Sequence, residues 1–493
     1  MNHLKQLAGQ TVIYGLSINI YRLLNYLVVP LHTNLIIDTA KYGVITNLYG
    51  YAAILLALLT YGMETGYFRF SSKYKNREDV YSSIIVSLFF TSGLFIFLMY
   101  LYSGQIANFI QYPQNPEYIR WFGIIIGLDA FTSIPMAKLR KLGRPLKFAF
   151  VNLISIIVYI IINVFFLWLV PAIIESNPDS FLKEYYDPEE LVKYVFIANI
   201  FQSIVKTLLL SKEIFDVKLV FNWKLFREIL RYSWPILFVS FFGLLSQNIE
   251  KVIMPFLIPN REVAAEMLGI YGACFKLGAF IVLFNQMFRY AADPFFFSKE
   301  NETNAKDIYA DVMKYFVLFS VVIFLVVSVY LDIFKFIIGS DYWAGLEIVP
   351  IILLANVFQG ILYNLSFWYK LTDKTKYGLL ISFIGALIVI VLNIILVPKI
   401  GYVGSAIGYF SSFFIMSIIS YFIGRKHYKI NYETGKILLF IGGAILIFGI
   451  TRFINLQHLV FNYIIKSLLL LFYIFAIYKT EYKNLKDIIR TGK

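Results

Sequence analysis

Charged and amide side chains lie inside several long apolar segments of this sequence, where an ionised group is costly. Arg22 lies midway along the first segment and, at roughly 100° per residue, shares a helix face with Asn19 and Asn25. Lys251 shares a face with Gln247 in the seventh segment. An ionised group at the bilayer centre costs on the order of 2.5–3.5 kcal/mol, so such residues normally face protein or water. These five residues therefore predict the wall of a polar cavity.

Lys276 is a third cation, about two turns into the eighth segment, on a face with small residues such as Gly269 that leave it room. The alternative for Lys276 is that its ammonium extends to the nearer membrane surface. Arg289 and Asn285 lie on the opposite face of a straight helix, so one cavity cannot receive them together with Lys276. Cations at membrane depth suit an anionic ligand, and phosphate or diphosphate fits this chemistry best.

Acidic residues occur in the same segments. Asp129 lies in the middle of the fourth segment, Glu64 near the end of the second, and Glu250 in the seventh. Two roles are open for Arg22, an ion pair with Asp129 and contact with a ligand, and the two can coexist. Lys206 lies close to the end of the sixth segment, where we expect it to reach the membrane surface and take no part in the site.

The composition excludes a soluble globular protein, because 59% of the 493 residues are hydrophobic and 15% are charged. A membrane-spanning helix needs roughly 20 mainly apolar residues. Fourteen such segments follow one another, at 7–31, 42–64, 81–102, 118–137, 148–170, 190–211, 233–257, 268–290, 313–334, 346–369, 378–397, 402–424, 436–452 and 459–478. The sequence therefore predicts an all-α polytopic membrane protein with about 14 transmembrane helices.

The formal net charge of +14 is concentrated in the loops on one side of these segments. They include Lys138, Arg140, Lys141, Arg144, Lys147, Lys212, Lys218, Lys224, Arg227 and Arg231, then Lys370, Lys374, Lys376, Arg425, Lys426 and Lys429. Basic loops stay in the cytoplasm, so we expect both termini there and no nucleic-acid partner.

An internal repeat of six segments divides the chain. Lys141-Leu142 before the fifth segment recurs as Lys370-Leu371 before the eleventh, and each following segment closes near a proline, Pro171 or Pro398. An even number of spans keeps both copies in the same orientation, so the halves are expected to be parallel and to enclose a cavity. The predicted units are a six-helix lobe at 1–211, a second at 212–430, and two additional helices with a basic cytoplasmic tail at 431–493.

The sequence contains no Walker motif, Ser-His-Asp arrangement or cofactor fingerprint, and its four histidines are not spaced as a metal pair. We therefore expect no enzyme activity, no metal and no cofactor. Transport by alternating access is the leading class.

Five segments carry a family resemblance: IPMAKLRKLGRPLKFAFVNL at 134–153, NIEKVIMPFL at 248–257, LGIYGACFKLG at 268–278, FRYAADPFFF at 288–297 and LNIILVPKIGYVGSAIG at 392–408. With them the chain resembles the polysaccharide or O-antigen flippases of the multidrug/oligosaccharidyl-lipid/polysaccharide exporter superfamily. The resemblance implies two six-helix lobes in a V, two further helices, and passage of an undecaprenyl-diphosphate-linked oligosaccharide from the cytoplasmic to the periplasmic face of a bacterial inner membrane.

The resemblance also implies roles for the charged residues. Arg22, Lys251 and Lys276 would attract the diphosphate or anionic sugars, and an acid, Asp129, Glu64 or Glu250, would couple transport to an H⁺ or Na⁺ gradient. Glu250-Lys251 stands where many relatives look like Asp-Arg, which keeps the charges but changes their reach.

Several alternatives stay open at this point. A drug/cation antiporter of the same fold would have acids dominating its cavity, and a lipid II flippase would need the same cations. A membrane glycosyltransferase or polymerase needs a larger outward loop than the acidic one at 171–190. Expected partners are membrane lipids and polysaccharide polymerase or assembly proteins, and the expected state is a monomer.

Overall fold

Helices form all the regular structure, as expected where backbone groups in hydrocarbon must satisfy one another internally. A computed structural model describes residues 2–36, 38–74, 77–216, 218, 220–298, 302–454 and 459–491. No strand occurs among these residues.

The helices of the first half are α1 (Asn2–Leu35), α2 (Thr39–Thr60), α3 (Met63–Lys73), α4 (Arg77–Leu101), α5 (Ser103–Phe109), α6 (Pro116–Lys141), α7 (Pro145–Val164), α8 (Val170–Ser176), α9 (Leu182–Tyr185), α10 (Leu191–Leu209) and α11 (Ser211–Phe215). A π-helical turn at Phe165–Leu169 joins α7 to α8.

The helices of the second half are α12 (Trp223–Leu257), α13 (Arg261–Leu277), α14 (Ala279–Ser298), α15 (Ala305–Val329), α16 (Leu331–Phe334), α17 (Val349–Leu365), α18 (Phe367–Leu371), α19 (Lys376–Ile400), α20 (Tyr402–His427), α21 (Thr434–Phe453) and α22 (Leu459–Thr491). Two 3₁₀ helices, Lys335–Ile337 and Ser340–Ile348, precede α17.

The predicted fold class is confirmed, and all fourteen predicted segments lie on helices. Twelve helices in the described part of the chain are long and apolar enough to cross a membrane, and the pair α13–α14 makes thirteen if it is one span. The remaining predicted segment lies on α1. We call the side with the loops at 142–144, 372–375 and 428–433 the basic face, and the side with the loop at 177–190 the opposite face.

The prediction of a straight eighth span is wrong, because α13 and α14 meet at Gly278 with a bend of 49°. A break leaves backbone carbonyls without partners inside the helix. Asn356 of α17 donates its side-chain amide to the Gly278 carbonyl at 3.0 Å, and its own carbonyl accepts from the Asn285 amide at 2.8 Å. The bend is therefore held by hydrogen bonds from a neighbouring helix.

The two halves pack tightly near the opposite face, where α2 meets α13. A Cβ atom on Gly43 would lie 2.0 Å from the Ala265 carbonyl oxygen, and one on Gly269 would lie 1.9 Å from that of Thr39. Small residues let membrane helices approach this closely. Nearby, the Tyr342 hydroxyl donates to the Ile36 carbonyl at 2.7 Å. We call this contact the α2–α13 seam.

An ion network joins α21 and α22 to α15. The ammonium of Lys314 on α15 is 1% exposed and lies 2.5 Å from a Glu433 oxygen and 3.2 Å from a Glu481 oxygen. Lys436 lies 2.6 Å from Glu433 and 3.0 Å from Glu481. Because Lys314 and Glu481 are buried, each needs the charge of the other.

Candidate functional site

A cavity between the two halves is closed at one end by the α2–α13 seam. Its inner chamber has a volume of about 420 Å³ and its basic-side chamber about 590 Å³. The two chambers share Ala53, Leu56 and Asp129 in their walls. The basic-side chamber continues past Glu64 and Arg140 towards the basic face. The predicted cavity is therefore present in the fold.

Two lysines from the second half form one wall of the inner chamber. The Lys251 ammonium lies 3.0 Å from the Asn248 side-chain oxygen, 3.8 Å from a Glu250 oxygen and 4.2 Å from the centre of the Phe275 ring. Lys276 is solvent-exposed although it lies at the end of α13 within the protein, because it opens into this chamber. Anionic groups entering the chamber would meet two ammonium groups on this wall.

The bend at Gly278 separates Lys276 from the other cation of the predicted eighth span. Arg289, beyond the bend on α14, lies 4.9 Å from the centre of the Tyr363 ring and is not among the residues lining either chamber. Lys276 therefore lies on the cavity wall, and Arg289 does not.

The first half forms a wall of tyrosines and neutral polar groups. The Gln202 amide donates to the Tyr21 hydroxyl at 2.8 Å, and the Asn199 amide donates to the Gln202 side-chain oxygen at 3.3 Å. The Nε2 of His32 lies 2.7 Å from the side-chain oxygen of Asn163. All of these except Asn163 line the inner chamber, together with Asn25, Tyr26, Tyr49 and Tyr159. This wall offers hydroxyl and amide groups rather than net charge.

One ion pair lies where the two chambers meet, and a second lies further along the basic-side chamber. Lys206 of α10 places its ammonium 3.2 Å from Asp129 of α6, and Ser203 lies 3.4 Å from the same oxygen. Arg140 lies 2.6 Å from Glu64. The expectation that Lys206 reaches the membrane surface is therefore wrong, because the Asp129 carboxylate draws its ammonium into the protein. Two of the three predicted coupling acids, Asp129 and Glu64, are thus engaged with cations.

Four predicted site residues do not line either chamber. The Asn19 amide donates to the Gly15 carbonyl at 2.8 Å, and the Gln247 amide donates to the Gly243 carbonyl at 3.0 Å, each within its own helix. Arg22 is half-buried on α1. Glu250 is 0% exposed. Their roles in binding or coupling stay predictions.

Glu250 points away from the cavity into the second half of the protein. One carboxylate oxygen accepts from the Tyr271 hydroxyl at 3.3 Å, and the other is buried without a hydrogen-bond partner. A buried carboxylate with an unfilled oxygen is costly when ionised, so it favours a proton or a cation.

Sequence reasoning missed the neutral residues of the first wall and the inward orientation of Lys206. Tyrosine, asparagine and glutamine are common in membrane helices, so their identity alone carries little information. The sequence does contain one indication of this wall. Tyr26 directly follows Asn25 on α1, and both lie close to Arg22, which is predicted to face the cavity.

Comparison with known proteins agrees with this geometry. A family model described as "Polysaccharide biosynthesis protein" matches residues 7–299, more than half of the chain. A search of curated proteins finds no match. Solved structures give a likeness of fold at low sequence identity.

One similar structure is titled "Lipid II flippase MurJ, inward closed conformation", with a TM-score of 0.72 and 15% identity over 95% of this chain and 99% of that chain. Another is an inward-facing multidrug resistance MATE family transporter of the MOP superfamily, with a TM-score of 0.65 and 12% identity over 84% of this chain and 97% of that chain. At these identities the likeness establishes the fold.

Proposed function

Because the chain belongs to the polysaccharide biosynthesis protein family, we propose that it moves undecaprenyl-diphosphate-linked oligosaccharide from the cytoplasmic to the periplasmic leaflet of a bacterial inner membrane. Its fold is that of membrane flippases and transporters of the MOP superfamily. One observation carries the proposal, the pair of ammonium groups of Lys251 and Lys276 on the wall of the cavity between the halves. A diphosphate is an anion that such a pair can bind.

The proposed mechanism is alternating access. The α2–α13 seam closes the cavity at the opposite face, while the basic-side chamber extends towards the basic face. With both termini in the cytoplasm, this arrangement receives substrate from the cytoplasmic leaflet. Transport then requires the seam to open and the basic-side chamber to close.

Coupling to an H⁺ or Na⁺ gradient is part of the proposal, and Glu250 is the candidate we favour. Its carboxylate lies 3.8 Å from the Lys251 ammonium, so a proton or cation on Glu250 would change the electrostatics of the diphosphate site. Asp129 and Glu64 are weaker candidates because Lys206 and Arg140 already neutralise them. We further propose that the chain acts as a monomer beside polysaccharide polymerase or assembly proteins.

The alternatives differ in the ligand that they require. A drug/cation antiporter needs a cavity that attracts cations, and Lys251 and Lys276 repel them. A lipid II flippase needs the same diphosphate-binding lysines, so the glycan and the peptide of the substrate must separate that alternative. A membrane glycosyltransferase or polymerase needs catalytic groups on a substantial outward loop, and the loop at 177–190 is too short to form a domain.

The test is reconstitution of the purified full chain into liposomes with fluorescent undecaprenyl-diphosphate oligosaccharide, lipid II or a cationic dye. We expect the chain to accelerate movement of the oligosaccharide lipid between leaflets. Lys251→Ala and Lys276→Ala should each slow it at least tenfold, since each removes a charge-assisted contact worth about 1.5–3 kcal/mol. Leu27→Ala, on the lipid-facing side of α1, is the matched control. Export of the dye without movement of the lipid would overturn the proposal.

A further inference from the structure

The two walls of the inner chamber differ in chemistry, and the difference follows the division of the chain into halves. The wall from α12 and α13 carries Lys251 and Lys276, and the wall from α1, α2, α7 and α10 carries tyrosines and amides. Resting on the proposed function, we propose that the second-half wall binds the diphosphate and the first-half wall binds the glycan, and that this glycan is uncharged.

A diphosphate diester carries two negative charges and the described lining of the inner chamber offers two ammonium groups, so none is left over for an anionic glycan. Lys276 has no ion-pair partner in the described part of the chain, and Lys251 shares its charge with Glu250. Asp129 is the charged residue that the first half contributes to the described lining, and Lys206 neutralises it. A glycan carrying carboxylates would place them against a wall whose described lining contains no cation to offset the loss of hydration, because Arg22, although close to Tyr21 and Tyr26, is not part of that lining.

Neutral sugars suit the first-half wall. Hydroxyl groups need partners that donate and accept, and the side chains of Asn25, Asn199 and Gln202 do both. Of these three side chains, that of Asn25 is exposed to the chamber, whereas the side-chain oxygen of Asn199 is buried. Tyr21, Tyr26 and Tyr49 are partly exposed and add aromatic surface on which the apolar face of a sugar ring packs. The wall therefore combines stacking surface with uncharged hydrogen-bonding groups.

Tyr26 stands at the junction of the two walls. It belongs to α1, and the Lys276 ammonium lies 5.8 Å from the centre of its ring. The first sugar of a lipid-linked oligosaccharide is bonded directly to the diphosphate. A diphosphate on Lys276 thus places that sugar against Tyr26 and its neighbour Asn25, which is exposed to the chamber.

The assignment has a consequence for transport, because a substrate bound in this way bridges the two halves. Its diphosphate contacts the second half and its glycan contacts the first. A change in the relative position of the halves cannot preserve both sets of contacts, so the same movement that opens the seam weakens binding. A bare lipid diphosphate contacts one half only and should bind without this bridging.

Equilibrium binding to the purified full chain tests the inference with three fluorescent probes. These are undecaprenyl diphosphate alone, the same lipid with a neutral disaccharide, and the same lipid with a disaccharide containing one uronic acid. We expect the neutral disaccharide to raise affinity about tenfold over the bare lipid, and the uronic acid to remove that gain.

The variants separate the two walls. Asn25→Ala and Tyr26→Leu should lose the tenfold gain of the neutral disaccharide over the bare lipid, whereas Lys276→Met should weaken binding of all three probes. Tyr26→Phe, which keeps the ring, should retain more than half of the gain, and Leu27→Ala should behave as the parent. Equal affinity of the parent for bare and neutral lipids, or tighter binding of the uronic-acid lipid, overturns the inference. Absence of binding to any of the three lipids overturns the proposed function instead.

Discussion

Substitution of Gly269 by alanine should shift the conformational equilibrium of the protein, because the α2–α13 seam has no room for a Cβ atom. The added atom would lie 1.9 Å from the Thr39 carbonyl oxygen. Contacts shorter than 3.0 Å essentially do not occur for real Cβ atoms, so the backbones must separate by more than 1 Å. Overpacking of this kind costs about 1–3 kcal/mol. The closed seam should therefore lose roughly 5- to 150-fold in population relative to an open one.

The population of the open seam can be measured from the distance between two spin labels placed across the opposite face. Labels at Glu189 in the first half and Glu262 in the second lie on exposed positions of that face, and the single Cys274 is buried. The alanine variant should gain a population with longer distances. Gly442→Ala is the control, because a Cβ atom there meets nothing within 4 Å. An unchanged distance distribution for Gly269→Ala, in protein that remains folded, refutes the argument.

Two further predictions concern ion pairs. Partial burial works to raise the pKa of Glu433, but hydrogen bonds from Lys314 and Lys436 outweigh it and hold the pKa below its ordinary value of 4.5. This contribution to stability is present above pH 4.5 and is lost as pH falls further, so melting temperature should drop below pH 4.5 in the parent and less in Glu433→Gln. Lys206→Met leaves Asp129 without its cation and should lower the free energy of unfolding by about 1–3 kcal/mol, less than the loss for a fully buried pair. The double variant Lys206→Met with Asp129→Asn should recover most of this stability. Denaturation in detergent measures both effects.

The sequence predicts the fold through a property that each span carries by itself. A segment such as 378–397 is apolar enough to be identified without knowledge of its neighbours, because the bilayer and not another helix is its solvent. The bend at Gly278 is different, since it depends on Asn356 of α17 reaching the freed carbonyl. Hydropathy contains no information about that contact, so it predicts one straight helix over 268–290.

The cavity is predicted less completely, because a helical wheel fixes which residues share a face and leaves open which way the face turns. The spacing of Gln247 and Lys251 predicts that they share one face. Lys251 lines the inner chamber, however, while the Gln247 amide donates a hydrogen bond to the Gly243 carbonyl of its own helix.

The orientation of Lys206 is likewise set by a neighbouring helix and not by its own sequence position. Its position near a helix end favours the membrane surface, and only the neighbouring helix, with Asp129 at 3.2 Å, reverses that preference. A cation at membrane depth is thus a reliable signal that a polar partner exists, and a poor guide to whether the partner is substrate, water or another side chain. Lys276 differs from Lys206 in this respect, because no carboxylate of the described chain pairs with it and it opens into the chamber. This difference makes Lys276 a stronger candidate for substrate binding than its position in the sequence alone would indicate.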